Sequence, residues 1–180
     1  MSAFAPVNLL VPYLAQLDNE QNPYGSCNVT SVAMCMKYLA PGRNFGCPPG
    51  MQLEDFLQNV LESHGKSRHS PYDLEWLLKY FGVPDTFSPV AKWGDAKGRL
   101  GGGNPLIVHG YFTQSGHIIV IRGYNDNGDW IVNDPYGEWF SSGYRTDLSG
   151  ENLVYSDELM KRCCGPDGDL WLHFVGDQGD

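Results

Sequence analysis

Hydrophobic residues in the first half of the chain recur at the spacing of an α-helix in three stretches. Apolar residues every three or four positions give each helix one face that packs in a core. The pattern predicts helices over 27–40, 53–64 and 71–81. Ser26 and Ser70 directly precede two of them and are the expected N-caps.

The second half of the chain changes to the shorter period of β-strands, with turn residues between the apolar runs. These runs predict strands at 106–112, 116–124 and 130–133, a short helix over 156–163 and a closing strand over 171–175. Asn127-Gly128 is a hairpin turn, so we expect an antiparallel meander. Helices followed by strands predict an α+β fold, in one domain of residues 1–180 whose tail, 176–180, frays.

Length and charge narrow the class of protein. The chain has 180 residues, 42% of them hydrophobic, which is enough for one domain with a core. Its net charge of -9 argues against nucleic-acid or anionic-membrane partners, which need clustered lysine and arginine. No apolar run is long enough for membrane insertion, and the N-terminus lacks a signal-peptide pattern. We therefore expect cytoplasmic synthesis, with action on a cell wall only after release.

Cys27 lies where a polar loop gives way to the first predicted helix, directly after Gly25 and Ser26. A helix N-terminus and a nearby imidazolium both favour the thiolate, which is the reactive form of cysteine. The alternative is a small buried core residue, and we expect that state for Cys35 in the middle of the same helix. Gln16 precedes the loop, and its side-chain amide could donate to an oxyanion beside the Cys27 backbone N–H.

A histidine and a carboxylate are expected at one end of a predicted hairpin. His117 begins one strand and Asp134 follows the next, so pairing of the two strands brings these side chains together. A carboxylate there can accept a hydrogen bond from the imidazole and fix its tautomer. The alternative for Asp134 is a solvated turn residue. His109 and His173 lie inside strands, where we expect buried structural histidines.

Four segments of the chain resemble the papain-like cysteine peptidases, and within them the bacteriocin-processing (double-glycine leader) peptidases and their stand-alone relatives. The segments that carry the resemblance are 11–16, 26–34, 116–124 and 130–137. The resemblance implies a papain-like cysteine peptidase fold, with an N-terminal helical half packed on an antiparallel β-sheet. It also implies that Cys27 attacks a carbonyl, His117 acts as base and then acid, Asp134 orients His117, and Gln16 builds the oxyanion hole. The chain departs from the leader peptidases in having Cys27-Asn28 and a longer loop before the cysteine.

The longer loop carries oxygen-bearing side chains at alternate positions, Asp18, Glu20 and Asn22, with Gly25 after them. This arrangement resembles the calcium loop upstream of the nucleophile in CHAP-type wall-lytic hydrolases. It predicts a structural calcium ion, with a plain polar loop as the alternative. The chemistry itself requires no cofactor.

Together these features predict a cysteine peptidase or amidase that works through a thioester, and an endolysin-like enzyme cutting the peptide part of peptidoglycan is one version of it. The alternatives are an intracellular peptide-processing protease and a non-catalytic peptide-binding module on the same fold. The substrate partner is a peptide or peptidoglycan in each case. Aromatic residues could line a peptide groove or belong to the core; these are Tyr24, Trp93 and Trp139.

Overall fold

The structure, a computed structural model, describes residues 5–178; residues 1–4 and 179–180 of the predicted domain and tail lie outside this range. The helices are α1 (Cys27–Leu39), α2 (Leu53–Ser63), α3 (Pro71–Tyr80), α4 (Trp93–Gly101) and α5 (Asp157–Cys163). The strands are β1 (Val7–Asn8), β2 (Asp85–Ala91), β3 (Leu106–Gly110), β4 (His117–Tyr124), β5 (Trp130–Asn133), β6 (Glu138–Phe140), β7 (Gly143–Arg145), β8 (Leu153–Tyr155) and β9 (Leu170–Val175). Within the described range, no helix has the length and apolar character to cross a bilayer.

Seven strands form one sheet in the order β2-β9-β3-β4-β5-β8, with β1 added on β4. Every pairing in it is antiparallel, so the predicted meander β3-β4-β5 is confirmed. The closing strand β9 is also confirmed, but it inserts between β2 and β3 instead of adding to an edge. The short hairpin β6–β7 stands apart from this sheet.

The two faces of the sheet pack against different helices. On one face, Ile107, Ile118 and Val120 pack against α1, α2 and α3. On the other, alternate residues of the same strands pack with α4 and α5 around Trp130. Strands β3 and β4 are therefore covered on both sides, which explains why they read as continuous apolar runs. The mixed helical and antiparallel architecture agrees with the predicted α+β fold, with the helical half on the sheet.

The first helix differs from its prediction in two respects. Residues 28–36 of α1 are all buried, because α1 lies between the sheet and the other two helices, and it is not the one-faced helix expected. Ser26 does not cap it, whereas Ser70 accepts a hydrogen bond from the Asp73 N–H and caps α3 as predicted. The Ser26 hydroxyl is used elsewhere, in a contact that belongs to the candidate site.

Sequence patterns gave no prediction for residues 85–101, which form β2 and α4. Strand β2 contains Pro89, and α4 has glycine at three of nine positions, so neither segment has the composition of its element. Tertiary packing decides both. The β2 backbone pairs with β9, and α4 buries Ala96 and Leu100 in the second core.

Candidate active site

The first turn of α1 brings Cys27 to the start of strand β4. Cys27 is the first residue of the helix and is partly exposed. The Ser31 hydroxyl, one turn on, donates to the Ile118 carbonyl at 3.3 Å and fixes the helix to the strand. The Ile118 backbone N–H in turn donates to the Cys27 sulfur. The helix start and the strand start therefore meet at the thiol.

A buried asparagine secures the loop that precedes the thiol. The Asn19 side-chain N–H groups donate to the hydroxyls of Ser26 at 2.7 Å and Thr30 at 3.0 Å. This contact is the reason that the Ser26 oxygen is not free to cap α1. Cys27 is thus held between a fixed loop and a buried helix.

His117 connects the thiol to a buried carboxylate. Its Nε2 lies 2.7 Å from Oδ1 of Asp134, and both side chains are almost completely buried. Asp134 accepts, so Nε2 carries a proton. The imidazole also hydrogen-bonds to Cys27, for which Nδ1 is the remaining nitrogen. The contact expected from the hairpin is therefore present, and the same ring reaches the cysteine.

Both carboxylate oxygens of Asp134 accept further hydrogen bonds. The Tyr136 N–H donates to Oδ1 at 3.0 Å, and the hydroxyls of Tyr144 and Tyr155 donate to Oδ2 at 2.8 and 2.7 Å. The Tyr13 hydroxyl donates to the Asp134 carbonyl at 3.0 Å. These donors compensate the fully buried carboxylate and fix its position beside His117. Sequence reasoning missed these tyrosines, because β7 and β8, which carry two of them, had no detectable pattern.

Electrostatics at the site favours an ion pair between thiolate and imidazolium. Burial opposes a charge on His117, but Asp134 and the thiol outweigh burial and raise the pKa of His117 to about 10. Burial alone would raise the pKa of Cys27, yet the hydrogen bond and charge of His117 and the Ile118 N–H lower it overall. A thiolate is the nucleophilic form of cysteine.

The other cysteines lack this environment. Burial raises the pKa of Cys35 well above its ordinary value, as expected for a thiol in the middle of a core helix. Burial also raises the pKa of each remaining thiol, at Cys47, Cys163 and Cys164. All five cysteines lie in the described range, and Cys27 alone among them has a lowered pKa.

Gln16 is buried beside the segment that follows Asp134. Its backbone N–H donates to the Pro135 carbonyl at 2.8 Å, which ties it to the residue after Asp134. Its side-chain Nε2 donates to the Pro23 carbonyl at 2.9 Å, which leaves the second N–H of the amide for another acceptor. The oxyanion role of Gln16 stays a prediction, made from the resemblance and compatible with this remaining donor.

The polar loop does not fit a metal ion well. Asp18, Glu20 and Asn22 are exposed, and residues 5–178 contain no group of three or more His, Cys, Asp or Glu side chains placed to hold a metal. The loop is instead held by Asp55 of α2, whose two oxygens accept the N–H groups of Glu20 and Gln21 at 3.1 and 3.0 Å. The calcium site stays a prediction that this arrangement does not support.

The three aromatic residues considered for a groove lie in different environments. Tyr24, in the loop before Cys27, is 81% exposed. Trp93 packs against Trp130, with ring centroids 4.7 Å apart, in the second core. The Trp139 indole donates to the Phe112 carbonyl at 3.1 Å and also packs against that core. Of the three, only Tyr24 is mainly exposed to solvent.

Comparison with known proteins shows the family of the chain. The model of the Peptidase_C39 like family matches residues 8–157, which include Gln16, Cys27, His117 and Asp134. The chain belongs to the Peptidase_C39 like family. The recognised resemblance to papain-like peptidases of the bacteriocin-processing type is thus confirmed at the level of the family.

Solved structures resemble this C39-like chain over almost its full length. A Bacillus anthracis protein described as a C39-like peptidase is 15% identical, with a TM-score of 0.63 and coverage of 97% of this chain and 99% of its own. A double glycine motif protease from an AMS/PCAT transporter, solved in complex with the leader peptide, is 18% identical, with a TM-score of 0.58 and coverage of 94% and 96%. At these identities the likeness shows the fold, which is that of C39 peptidases. Among curated proteins, none matches this sequence.

Proposed function

We propose that this C39-like protein is a cysteine peptidase that hydrolyses an amide bond of a peptide through a thioester at Cys27. The observation that carries the proposal is the position of His117, which bonds to Asp134 through Nε2 and to the Cys27 thiol on its other side. Membership of a cysteine peptidase family supports the same chemistry.

In the first half of the reaction, the Cys27 thiolate attacks the carbonyl carbon of the scissile amide, and a C–S bond forms. The oxygen takes up the electron pair of the C=O double bond and accepts hydrogen bonds from the Cys27 backbone N–H and the free N–H of Gln16. The tetrahedral species collapses as the C–N bond breaks. His117 gives its Nδ1 proton to the leaving amine, which departs neutral and leaves an acyl thioester on Cys27.

In the second half, neutral His117 takes a proton from water through Nδ1, and the oxygen of that water attacks the thioester carbon. Collapse breaks the C–S bond, returns the thiolate and releases the acid product. Asp134 accepts the hydrogen bond of the Nε2 N–H throughout and keeps that proton in place, so that Nδ1 faces the reacting atoms in both steps.

Alkylation and substitution test this proposal together. Iodoacetamide near neutral pH should modify Cys27 much faster than the other cysteines, with peptide mass spectrometry as the readout. Cys27→Ala should abolish turnover of a peptide library, whereas Cys47→Ala, the matched change at the other partly exposed thiol, should leave it intact. Slow, uniform alkylation without turnover would instead support the alternative of a non-catalytic peptide-binding module.

The substrate is a peptide in this proposal, and its source is the finer question. The similar double glycine motif protease was solved with a leader peptide, which supports a peptide substrate here by analogy. The second version of the proposal is a lysin that cuts cell-wall peptides. We expect such a lysin to be made in the cytoplasm and released from it. Mass spectrometry of a peptidoglycan digest beside a set of double-glycine peptides separates them: new termini in one set alone identify the source.

We also propose that turnover requires no metal, because side chains supply the nucleophile and the acid and base, and a backbone N–H and a side-chain amide supply the oxyanion donors. A chelator should therefore leave the rate of peptide cleavage unchanged. Calcium, if it binds Asp18, Glu20 and Asn22, would raise the melting temperature of the protein. A melting temperature that does not respond to calcium would remove this ion from the proposal.

A further inference from the structure

A second buried carboxylate–histidine pair lies on the sheet face that packs against α1 and α3. Asp85 of β2 accepts a hydrogen bond from His173 of β9, with Oδ2 and Nδ1 2.8 Å apart. The Nε2 of His173 lies 3.1 Å from the Nε2 of His109 in β3. The three side chains therefore form one chain of hydrogen bonds across three strands. The catalytic proposal does not use any of them.

This chain of hydrogen bonds ends at the Nδ1 atom of His109. Burial and the neighbouring His173 lower the pKa of His109 to about 3, so the ring is neutral at ordinary pH. If each imidazole passes one proton toward Asp85, Nδ1 of His109 is left as an acceptor. That nitrogen has no hydrogen-bond partner in residues 5–178 and is not among the polar atoms shut off from solvent.

The strand register places His109 beside the candidate active site. It lies opposite Ile118, the residue whose N–H donates to Cys27, and opposite Trp171 on its other side. Paired residues of neighbouring strands project to the same face, and strands lie about 4.8 Å apart. A substrate advances roughly 3.3 Å per extended residue, so a side chain within three residues of the scissile bond can reach His109.

Two aromatic rings contact the ring of His109. Trp171 is 50% exposed, and its ring centroid lies 6.2 Å from that of His109. The buried Phe87 ring contacts both rings, and the ring of Tyr72 in α3, 60% exposed, packs against Phe87 at 84°. An exposed indole face attracts cations, and a neutral acceptor beside it can take a hydrogen bond from one.

The buried pair is better explained by orientation than by stability. Burying a carboxylate and an imidazole is costly, and apolar residues of similar size usually stabilise a core as well or better. One oxygen of Asp85 is buried with no hydrogen-bond partner among the described residues, so the carboxylate is only partly compensated. Its clear consequence is to fix His173 and, through it, the ring of His109.

We propose that His109 and Trp171 form a subsite of the candidate active site that binds a basic side chain of the peptide substrate. The ammonium or guanidinium group donates to Nδ1 of His109 and rests on the exposed face of Trp171. The net charge of -9 favours a cationic substrate over an acidic one. The inference rests on the proposed peptidase function and names the class of peptide that it takes.

The subsite can be tested without catalysis. N-acetyl-lysine amide, titrated into the wild-type protein, should shift the NMR signals of the His109 imidazole and the Trp171 indole, whereas the norleucine analogue should shift neither. His109→Phe should abolish the lysine-dependent shift at Trp171. The matched change His64→Phe, at an exposed histidine of another region, should leave it intact. Equal shifts with both ligands, or none with either, would overturn the inference while leaving the peptidase proposal untouched.

Turnover gives the second test. In a cleaved peptide, the three positions on each side of the scissile bond are changed in turn to lysine, norleucine and glutamate. At one position the lysine peptide should have a kcat/KM about tenfold or more above its norleucine analogue. His109→Phe should bring this ratio to about one by lowering kcat/KM for the lysine peptide, and His109→Asn, which retains an acceptor, should keep part of the ratio.

Three outcomes of the turnover test would contradict the subsite. These are a ratio near one at every position, a preference for glutamate, or a ratio that survives in His109→Phe. Each of them leaves cleavage of the norleucine peptide and alkylation of Cys27 as separate measures of the proposed function. If no peptide is cleaved, the peptidase proposal fails, and the NMR titration still decides whether the basic subsite exists.

Discussion

The molecule contains two buried pairs of histidine and aspartate, and they differ in what surrounds the carboxylate. Asp134 accepts hydrogen bonds on both oxygens, from His117, two tyrosine hydroxyls and a backbone N–H. Within residues 5–178, Asp85 accepts one hydrogen bond, from His173, and its other oxygen has no partner. The histidine–aspartate distances, 2.7 and 2.8 Å, are almost the same. Distance alone therefore does not separate the two pairs.

The surroundings of the two pairs have opposite effects on the charge that each histidine carries. At the first pair, Asp134 and the thiol raise the pKa of His117, so the imidazole holds a proton that it can deliver. At the second, burial raises the pKa of Asp85 and lowers that of His109, so charge is disfavoured along the chain. A histidine–aspartate pair is thus suited to acid–base work when its carboxylate is fully supplied with donors and its imidazole faces an acid.

The largest difference between the pairs should appear when each histidine is removed. His117→Ala should lower kcat/KM by about 10⁵-fold, because it removes the base and the charge that stabilises the thiolate. His173→Ala should change cleavage of a norleucine peptide by no more than about twofold while lowering the free energy of unfolding by about 2 kcal/mol or more. Steady-state kinetics and denaturant unfolding of both variants measure this. Comparable losses of activity in the two variants would show that the comparison is wrong.

Neutralising each carboxylate should have a smaller effect with the same asymmetry. Asp134→Asn should lower kcat/KM by about 10³-fold, less than loss of His117, because the base remains but its tautomer and charge are no longer fixed. Asp85→Asn should change kcat/KM by no more than about twofold. Asn still accepts a hydrogen bond from His173, and the substitution removes a poorly compensated buried charge. Unequal effects in the reverse order would assign the catalytic carboxylate to β2.

Parts of this comparison could be predicted from the sequence. Two apolar runs joined by the Asn127-Gly128 turn predict the pairing of β4 with β5. That pairing brings His117 to Asp134. Such a contact is local in sequence. The pairing of His109 with His173 depends on β9 inserting between β2 and β3, a contact between residues 64 positions apart that no local pattern encodes.

The donors to Asp134 show the same limit. Tyr144 and Tyr155 lie on three-residue strands that are too short for a period to appear. Gly150 crosses so close to Asp134 that an added Cβ would lie 1.8 Å from its carbonyl oxygen, yet its sequence context is an ordinary turn. Residues that support a site from irregular segments are set by tertiary packing, and their sequence carries little sign of it.

The pH dependence of turnover sharpens the comparison. Below the pKa of Cys27, which lies under its ordinary value, the thiol is protonated and kcat/KM should fall. Above about pH 10, His117 loses its proton, and kcat/KM should fall about tenfold per pH unit. In Asp134→Asn this alkaline limb should move to lower pH, because the Asp134 charge is the main cause that raises the pKa of His117. If the alkaline limb stays at the same pH, the Asp134 charge is not the main cause of the raised pKa of His117.

The smallest effect should come from the hydroxyls that support Asp134. Tyr155→Phe removes one of two donors to Oδ2 and should cost about 1.5 kcal/mol of stability, because a hydrogen bond to a charged acceptor is lost in a buried site. Activity should fall several-fold, since the remaining bonds still hold the carboxylate near His117.

Tyr144→Phe should have the same effects as Tyr155→Phe. The double variant should lose more stability and activity than the sum of the two single losses, because Oδ2 is then left with no donor. Tyr38→Phe, which removes a hydroxyl bonded to the Gly103 carbonyl far from Asp134 in the chain, is the control and should keep full activity. If the double variant retained the activity of Tyr38→Phe, the donor count around the carboxylate would not be what separates the two pairs.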